Sequence, residues 1–117
     1  MPASASFRMG DYGPMKAGVM AFARIIAREY GRYGVRSNAV CPGLVIPEPE
    51  AIGAGSLWQA DIGFGDKQIG DMEKATPLRR RPEALDIANA VAWLASEPAR
   101  MLTGQVLSVS GGFNMPR

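Results

Sequence analysis

The 117-residue chain contains no histidine and a single cysteine, Cys41. Without histidine there is no imidazole base, no Ser/His or Cys/His nucleophile pair and none of the usual zinc-ligand sets. No metal site is expected, and acid-base chemistry falls to Tyr, Lys, Asp or Glu. One thiol cannot close an internal disulfide, which fits a reducing, cytoplasmic setting. No apolar run reaches the roughly eighteen residues of a membrane-spanning helix. Residues 1–15 lack the basic head and apolar stretch of a signal peptide. Neither a membrane span nor secretion is expected.

What is present is an ordinary globular balance, with 47% apolar and 21% charged residues, which reads as one soluble unit. The net charge of +2 hides a pattern along the chain. Residues 1–46 carry six basic and two acidic groups, 47–76 carry two and six, and 77–117 carry five and three. The middle is an acidic insert between two basic ends. Arg79, Arg80 and Arg81 stand before a helix without interleaved aromatics or a basic stripe. They read as a solvated turn, and no nucleic-acid partner is expected.

From Met15 to Tyr30 the apolar residues cover most of a helical circumference, with Lys16, Arg24 and Arg28 recurring among them. A helix of that kind is buried on more than one side, deep in a domain or against another subunit. Gly31 and Gly34 supply its stop. "VRSNAVCPG", residues 35–43, reads as a strand ended by Pro42-Gly43. Cys41 at its end reads as a buried small residue, and Asn38 as a structural hydrogen-bonding one.

Residues 44–76 contain Pro47, Pro49 and five glycines around Trp58, Ile62, Phe64 and Ile69. They read as a long loop with one or two short helical pieces, a length often used for lids. Trp58 and Phe64 either touch a substrate or cover an apolar patch. A clearer helix follows. Pro82 suits its first position, Glu83 and Asp86 suit the positive end of its dipole, and Pro98 follows its last turn. Ala84, Ile87, Ala88, Val91, Leu94 and Ala95 make one continuous face. Trp93 reads as packing. "TGQVLSVSGG", residues 103–112, is then turn, apolar strand and glycine-rich exit.

The order helix, strand, long loop, helix, strand implies a right-handed crossover between parallel strands. Two strands do not make a parallel sheet that stands alone. The fold class expected is therefore α/β, the second part of a doubly wound parallel-sheet domain whose first half is absent.

Within "DYGPMK", residues 11–16, Tyr12 and Lys16 are four apart and share a helix face. A cation beside a phenol favours the phenolate. Unit charges about 4 Å apart interact by roughly 4 kcal/mol at an effective dielectric of about 20, enough to bring a phenol down by about three pKa units. The pair is thus able to poise a tyrosine for proton exchange with a hydroxyl or carbonyl. The same spacing also marks many solvated helix starts.

"YGPMK" before an alanine-rich helix, "VRSNAVCPGLV" and "PLRRRPEALDIANAVAWLASEPARMLTGQVLSVSGG" together resemble the C-terminal half of the short-chain dehydrogenase/reductase family, in the family's order, over about residues 11–112. The resemblance implies a Rossmann-like fold and an oxidoreductase dependent on NAD or NADP, moving hydride between nicotinamide and an alcohol or carbonyl carbon. It implies that Tyr12 is the acid-base, and that Lys16 lowers its pKa and bonds the nicotinamide ribose. Pro42, Gly43 and Val45 would line the nicotinamide. It divides the chain into an N-terminal segment (1–11), a catalytic helix and strand (12–46), a substrate lid (47–76) and a final helix and strand (77–117). The helix over 12–33 would pack across a subunit interface, giving a homo-oligomer or an association with a relative.

The departures are equally legible. No G-x-G-x-x-G turn precedes Tyr12, and "GFGDKQIG", residues 63–70, has neither the spacing nor a strand before it. The family's catalytic serine would fall ahead of Met1, so its role is not carried onto Ser4 or Ser6. Met15 stands where serine is frequent, Pro47 where a carboxamide-binding threonine is frequent, and Ser110 where aspartate is frequent. Two readings follow: a truncated oxidoreductase retaining Tyr12 and Lys16, or a non-catalytic remnant that associates with a full-length relative.

Overall fold

The computed structural model describes residues 12–56 and 65–114, and in the first helix the side chains from Met15 onward. Helix α1 spans Tyr12–Tyr30 and runs into a 3-10 turn at Gly31–Tyr33. Gly34 ends it at φ 78°, a left-handed conformation natural to glycine, and its N–H donates to the Gly31 carbonyl at 2.9 Å. Strand β1 is Ala39–Pro42. A 3-10 turn at Pro49–Ala51 and helix α2, Asp66–Ala75, occupy the expected lid region. Helix α3 is Ala84–Leu94, a 3-10 turn follows at Glu97–Ala99, and strand β2 is Val106–Val109.

The strands pair in parallel, with Ala39 opposite Val106 and Pro42 opposite Val109. The parallel pairing expected of a crossover is present, and the intervening lid and α3 supply its length. The first strand is shorter than its apolar pattern implies. Ahead of it, side chains take over part of the bonding to the segment near 103: the Ser37 N–H donates to Thr103 Oγ1 at 3.0 Å and its carbonyl accepts the Gly104 N–H at 2.7 Å, while the Asn38 side chain donates to the Leu102 carbonyl at 2.9 Å and accepts the Gln105 N–H at 3.0 Å. Asn38 is the structural residue its position promises.

Helix α3 begins two residues later than Pro82. The Asp86 carboxylate accepts the Glu83 N–H at 2.8 Å, which makes Glu83 the cap and leaves Pro82 outside the helix, buried against Gly43. At its other end Arg36 reaches across from ahead of β1, donating to the Leu94 carbonyl at 2.7 Å and the Leu102 carbonyl at 3.1 Å. A guanidinium there satisfies a carbonyl the helix cannot and meets the negative end of the dipole.

The core is narrow. Among the described residues the buried hydrophobic positions are Ala27, Leu94 and Ala99. Helix α1 packs through Met20, Ala23 and Ala27, while Met15, Val19, Phe22 and Ile25 are half exposed or more. The second burial expected of α1 is therefore not supplied by the described residues. The apolar face of α3 is likewise only partly covered. Leu94 is buried and Ile87 half-buried, but Ala84, Ala88, Val91 and Ala95 are exposed. Trp93 is 48% exposed rather than packed. Periodicity identifies which residues share a face, and what lies opposite decides whether that face is covered.

Candidate functional site

In open α/β sheets ligands bind beyond the carboxyl ends of the strands. Here that edge is Pro42-Gly43 on β1 and Val109-Ser110 on β2, joined by the Gly43 N–H donating to the Val109 carbonyl at 2.9 Å. The backbones approach so closely that a Cβ on Gly43 would stand 3.0 Å from Ser110 Cα and 3.3 Å from Pro82 Cγ. Only glycine fits there without displacement.

Two contacts fix α1 over this edge. Met20 Sδ lies 3.6 Å from Cys41 Sγ, next to the strand's end. Further along the helix, a Cβ on Gly104 would stand 3.5 Å from the Ala27 methyl, just ahead of β2. The helix thus runs antiparallel to the strands, and its N-terminus comes to their carboxyl edge. Lys16 shares the face of Met20 and Ala27, one turn or about 6 Å nearer that edge than Met20. Its side chain is exposed. Tyr12 is the first residue of α1, and the expectation for its phenol lies outside the described residues. Cys41, expected to be buried, is half-buried and free of any disulfide.

Beyond Gly43 the chain turns into a groove of about 620 Å³ between the Pro49–Ala51 turn and the start of α3. Val45 and Pro47 are half-buried along it. Helix geometry puts Lys16 on the face of α1 that meets β1, on the side of Pro42 and Gly43, and Val45 lines the adjoining groove. Trp58 and Phe64 lie outside the described residues.

The arginine run is held locally. Arg81 Nη1 is 2.5 Å from Glu73 Oε1, and Arg79, with φ 58°, donates to the Lys74 carbonyl. Ser110, at the position where the resemblance leads one to expect aspartate, is buried and takes up a capping task. Its Oγ accepts the Asn114 N–H at 3.1 Å and lies 2.9 Å from Ser108 Oγ. The role of Arg36 carries no local sequence signal beyond residue type, because its partners lie 58 and 66 residues away, whereas the Ser108–Ser110–Asn114 cluster is a local turn after β2. Among the described residues no group of three or more His, Cys, Asp or Glu is placed to hold a metal, and no helix is long and apolar enough to cross a membrane.

A parallel strand pair with an antiparallel helix bringing a lysine to its carboxyl edge defines part of a Rossmann-like domain. Comparison with known proteins makes the class specific. A family model described as enoyl-(acyl carrier protein) reductase matches residues 4–114. The 3-oxoacyl-[acyl-carrier-protein] reductase FabG of Staphylococcus epidermidis is 35% identical over 105 residues, covering 90% of this chain and 38% of its own. A crystallised short-chain dehydrogenase/reductase family oxidoreductase from Burkholderia thailandensis superposes with a TM-score of 0.73 at 38% identity, over 87% of this chain and 37% of that one. A short-chain dehydrogenase from Leptospira borgpetersenii with bound NAD+ gives 0.72 at 28% identity, over 89% and 35%. The chain belongs to the short-chain dehydrogenase/reductase family. It spans less than two fifths of the length of the curated relatives it matches.

Proposed function

We propose that the chain supplies the proton-handling part of a cytoplasmic, NAD- or NADP-dependent oxidoreductase acting on a small alcohol or carbonyl compound. The observation that carries this reading is the placement of Lys16 on the face of α1 that meets β1, one turn beyond the Met20–Cys41 contact and toward the strand's carboxyl end. Exposed Pro42 and half-buried Val45 offer apolar surfaces of the kind on which a nicotinamide ring rests, and the Lys16 ammonium offers donors for ribose hydroxyls. Bound there, the cofactor supplies or takes up the hydride. Tyr12 exchanges the proton with the substrate oxygen, and Lys16 favours the phenolate by its charge. Pro47 brings neither a hydroxyl nor an N–H, so the carboxamide would be held by other groups.

The 117 residues contain no glycine-rich phosphate turn. By themselves they therefore neither bind NAD(P)H tightly nor turn it over, and tight saturable binding by the purified chain would overturn this. The positive test is refolding with the N-terminal half of a relative that carries such a turn. Carbonyl-dependent NADPH or NADH oxidation should appear, and should fall at least about 100-fold in Tyr12→Phe, the scale of general acid-base catalysis.

The second reading is a non-catalytic partner that binds a full-length relative, or a second copy, through the helix over 12–33. The exposed Met15, Val19, Phe22 and Ile25 favour it. Stable capture of an intact relative, with no Tyr12-dependent turnover, would select it.

A further inference from the structure

A basic and aromatic hollow lies where helix α1 ends, far from the strands' carboxyl edge. About 450 Å³ in volume, it is lined by Arg28, Glu29, Tyr30, Arg32 and Tyr33, all of them exposed. The Tyr30 and Tyr33 rings stand 6.4 Å apart at 49°, and the Arg32 guanidinium sits 4.9 Å from the centre of the Tyr33 ring. That contact gives Arg32 a place without neutralising it. Arg28 and Arg24 precede Arg32 at one-turn intervals, roughly 5–6 Å per step. Among the described residues no acidic side chain pairs with Arg24, Arg28 or Arg32.

Two features oppose an anion here, and both are outweighed. Glu29 is the acidic residue of the lining, but two guanidiniums face it there and Arg24 adds a third along the helix. The last carbonyls of a helix carry partial negative charge. At this end the Tyr30 and Gly31 carbonyls accept the Val35 and Gly34 N–H groups at 3.4 and 2.9 Å, so neither is bare. What remains is a surplus of full positive charge beside two uncovered ring faces. Guanidiniums grip phosphate oxygens in paired hydrogen bonds, and two of them a helical turn apart suit linked phosphates better than a lone one. Exposed aromatic faces accept any nucleobase by stacking.

We propose that this hollow binds a nucleoside di- or triphosphate, with the phosphates on Arg28 and Arg32 and the base on the Tyr30 ring. Its volume is within the range of small-ligand sites. The Tyr33 ring is partnered by Arg32, which leaves Tyr30, 49% exposed, as the platform for the base. Arg28 lies about 18 Å along α1 from Lys16, so a ligand held there is out of reach of the proton-handling pair. The proposal goes beyond the reading of that pair and does not depend on it.

The test requires no turnover. The full chain, labelled with ¹⁵N, is titrated at pH 7 and low salt with ATP, inorganic triphosphate and adenosine. The amides of Tyr30 to Gly34 should move with ATP below millimolar concentration, with triphosphate about five times more weakly, and with adenosine only far above either. Added salt should weaken ATP binding at least about threefold. The Arg28→Gln/Arg32→Gln pair should weaken it about tenfold or more, and Tyr30→Leu should bring ATP to the level of triphosphate, with the helical circular dichroism of both variants unchanged. Arg100→Gln, at an exposed position outside the hollow, is the control. Lys16→Ala should leave ATP binding intact, which separates this site from a cofactor held at Pro42, and a loss there would overturn the proposal. So would ATP shifts confined to other amides, binding that survives replacement of both arginines, or adenosine bound as tightly as ATP. An Asp/Glu-rich peptide bound more tightly than ATP would also overturn it and assign the hollow to an acidic protein.

Discussion

Met20 Sδ lies 3.6 Å from Cys41 Sγ, and this contact sets the helix that carries Lys16 against the strand that ends in Pro42. Soft, polarisable sulfur fills such a gap well. Met20→Ala should destabilise the chain by about 1–2 kcal/mol, below the range for fully buried methionines because the site is half-buried. Urea denaturation monitored by circular dichroism measures the loss. A midpoint unchanged from the parent would show that α1 is held by other contacts.

Gly43 is a packing requirement as well as a turn residue. Gly43→Ala places a methyl 3.0 Å from Ser110 Cα, a backbone atom that cannot rotate away. A cost of about 1–3 kcal/mol is expected, with separation of the strands' carboxyl ends. Gly31→Ala is the control, because nothing lies within 4 Å of a Cβ there. Thermal unfolding should separate the two variants clearly.

Arg36 joins the end of α3 to the turn ahead of β2 through two carbonyls. Arg36→Ala should cost about 1.5–3 kcal/mol, the scale of hydrogen bonds from a charged donor. Arg36→Lys should recover less than half, since an ammonium does not reproduce the planar fork. Amide exchange near Ala95 and Ser96 should quicken before exchange at the start of α3.

The exposed stripe Met15, Val19, Phe22 and Ile25 makes the free chain prone to self-association. Val19→Lys with Phe22→Glu should lower that tendency without unfolding α1, because neither side chain belongs to the packed face. Sedimentation across a concentration series checks it. Equal association by parent and variant would locate the adhesive surface elsewhere.

Much of this architecture is legible in the sequence because it depends on local pattern. The apolar spacing in 15–30 and 84–95 gives both long helices, and a long loop plus a helix between two short strands gives their parallel pairing. The spacing also puts Tyr12 and Lys16 on one helix face, but that Lys16's face meets β1 is seen only from the Met20–Cys41 contact. What local pattern lacks is the identity of partners far along the chain. Nothing in "VRSN" says that the arginine will hold the end of a helix 58 residues away. The bonds of Ser37 and Asn38 to the segment near 103 lie beyond local pattern for the same reason. Trp93 shows the other limit: its type favours burial, but the described residues place no cover over it.

The bonds of Arg36, Ser37 and Asn38 to residues 94–105 join positions 58 to 67 apart in sequence. Closing a loop of that length costs about 3.6 kcal/mol in its length-dependent part alone, and it must be met before the contacts repay it. The lid and α3 have to be gathered between the strands before Pro42 and Gly43 acquire their neighbours. Contacts of such high order slow folding. The ligand edge therefore depends on long-range contacts, whereas the hydrogen bonds within helix α1 are local.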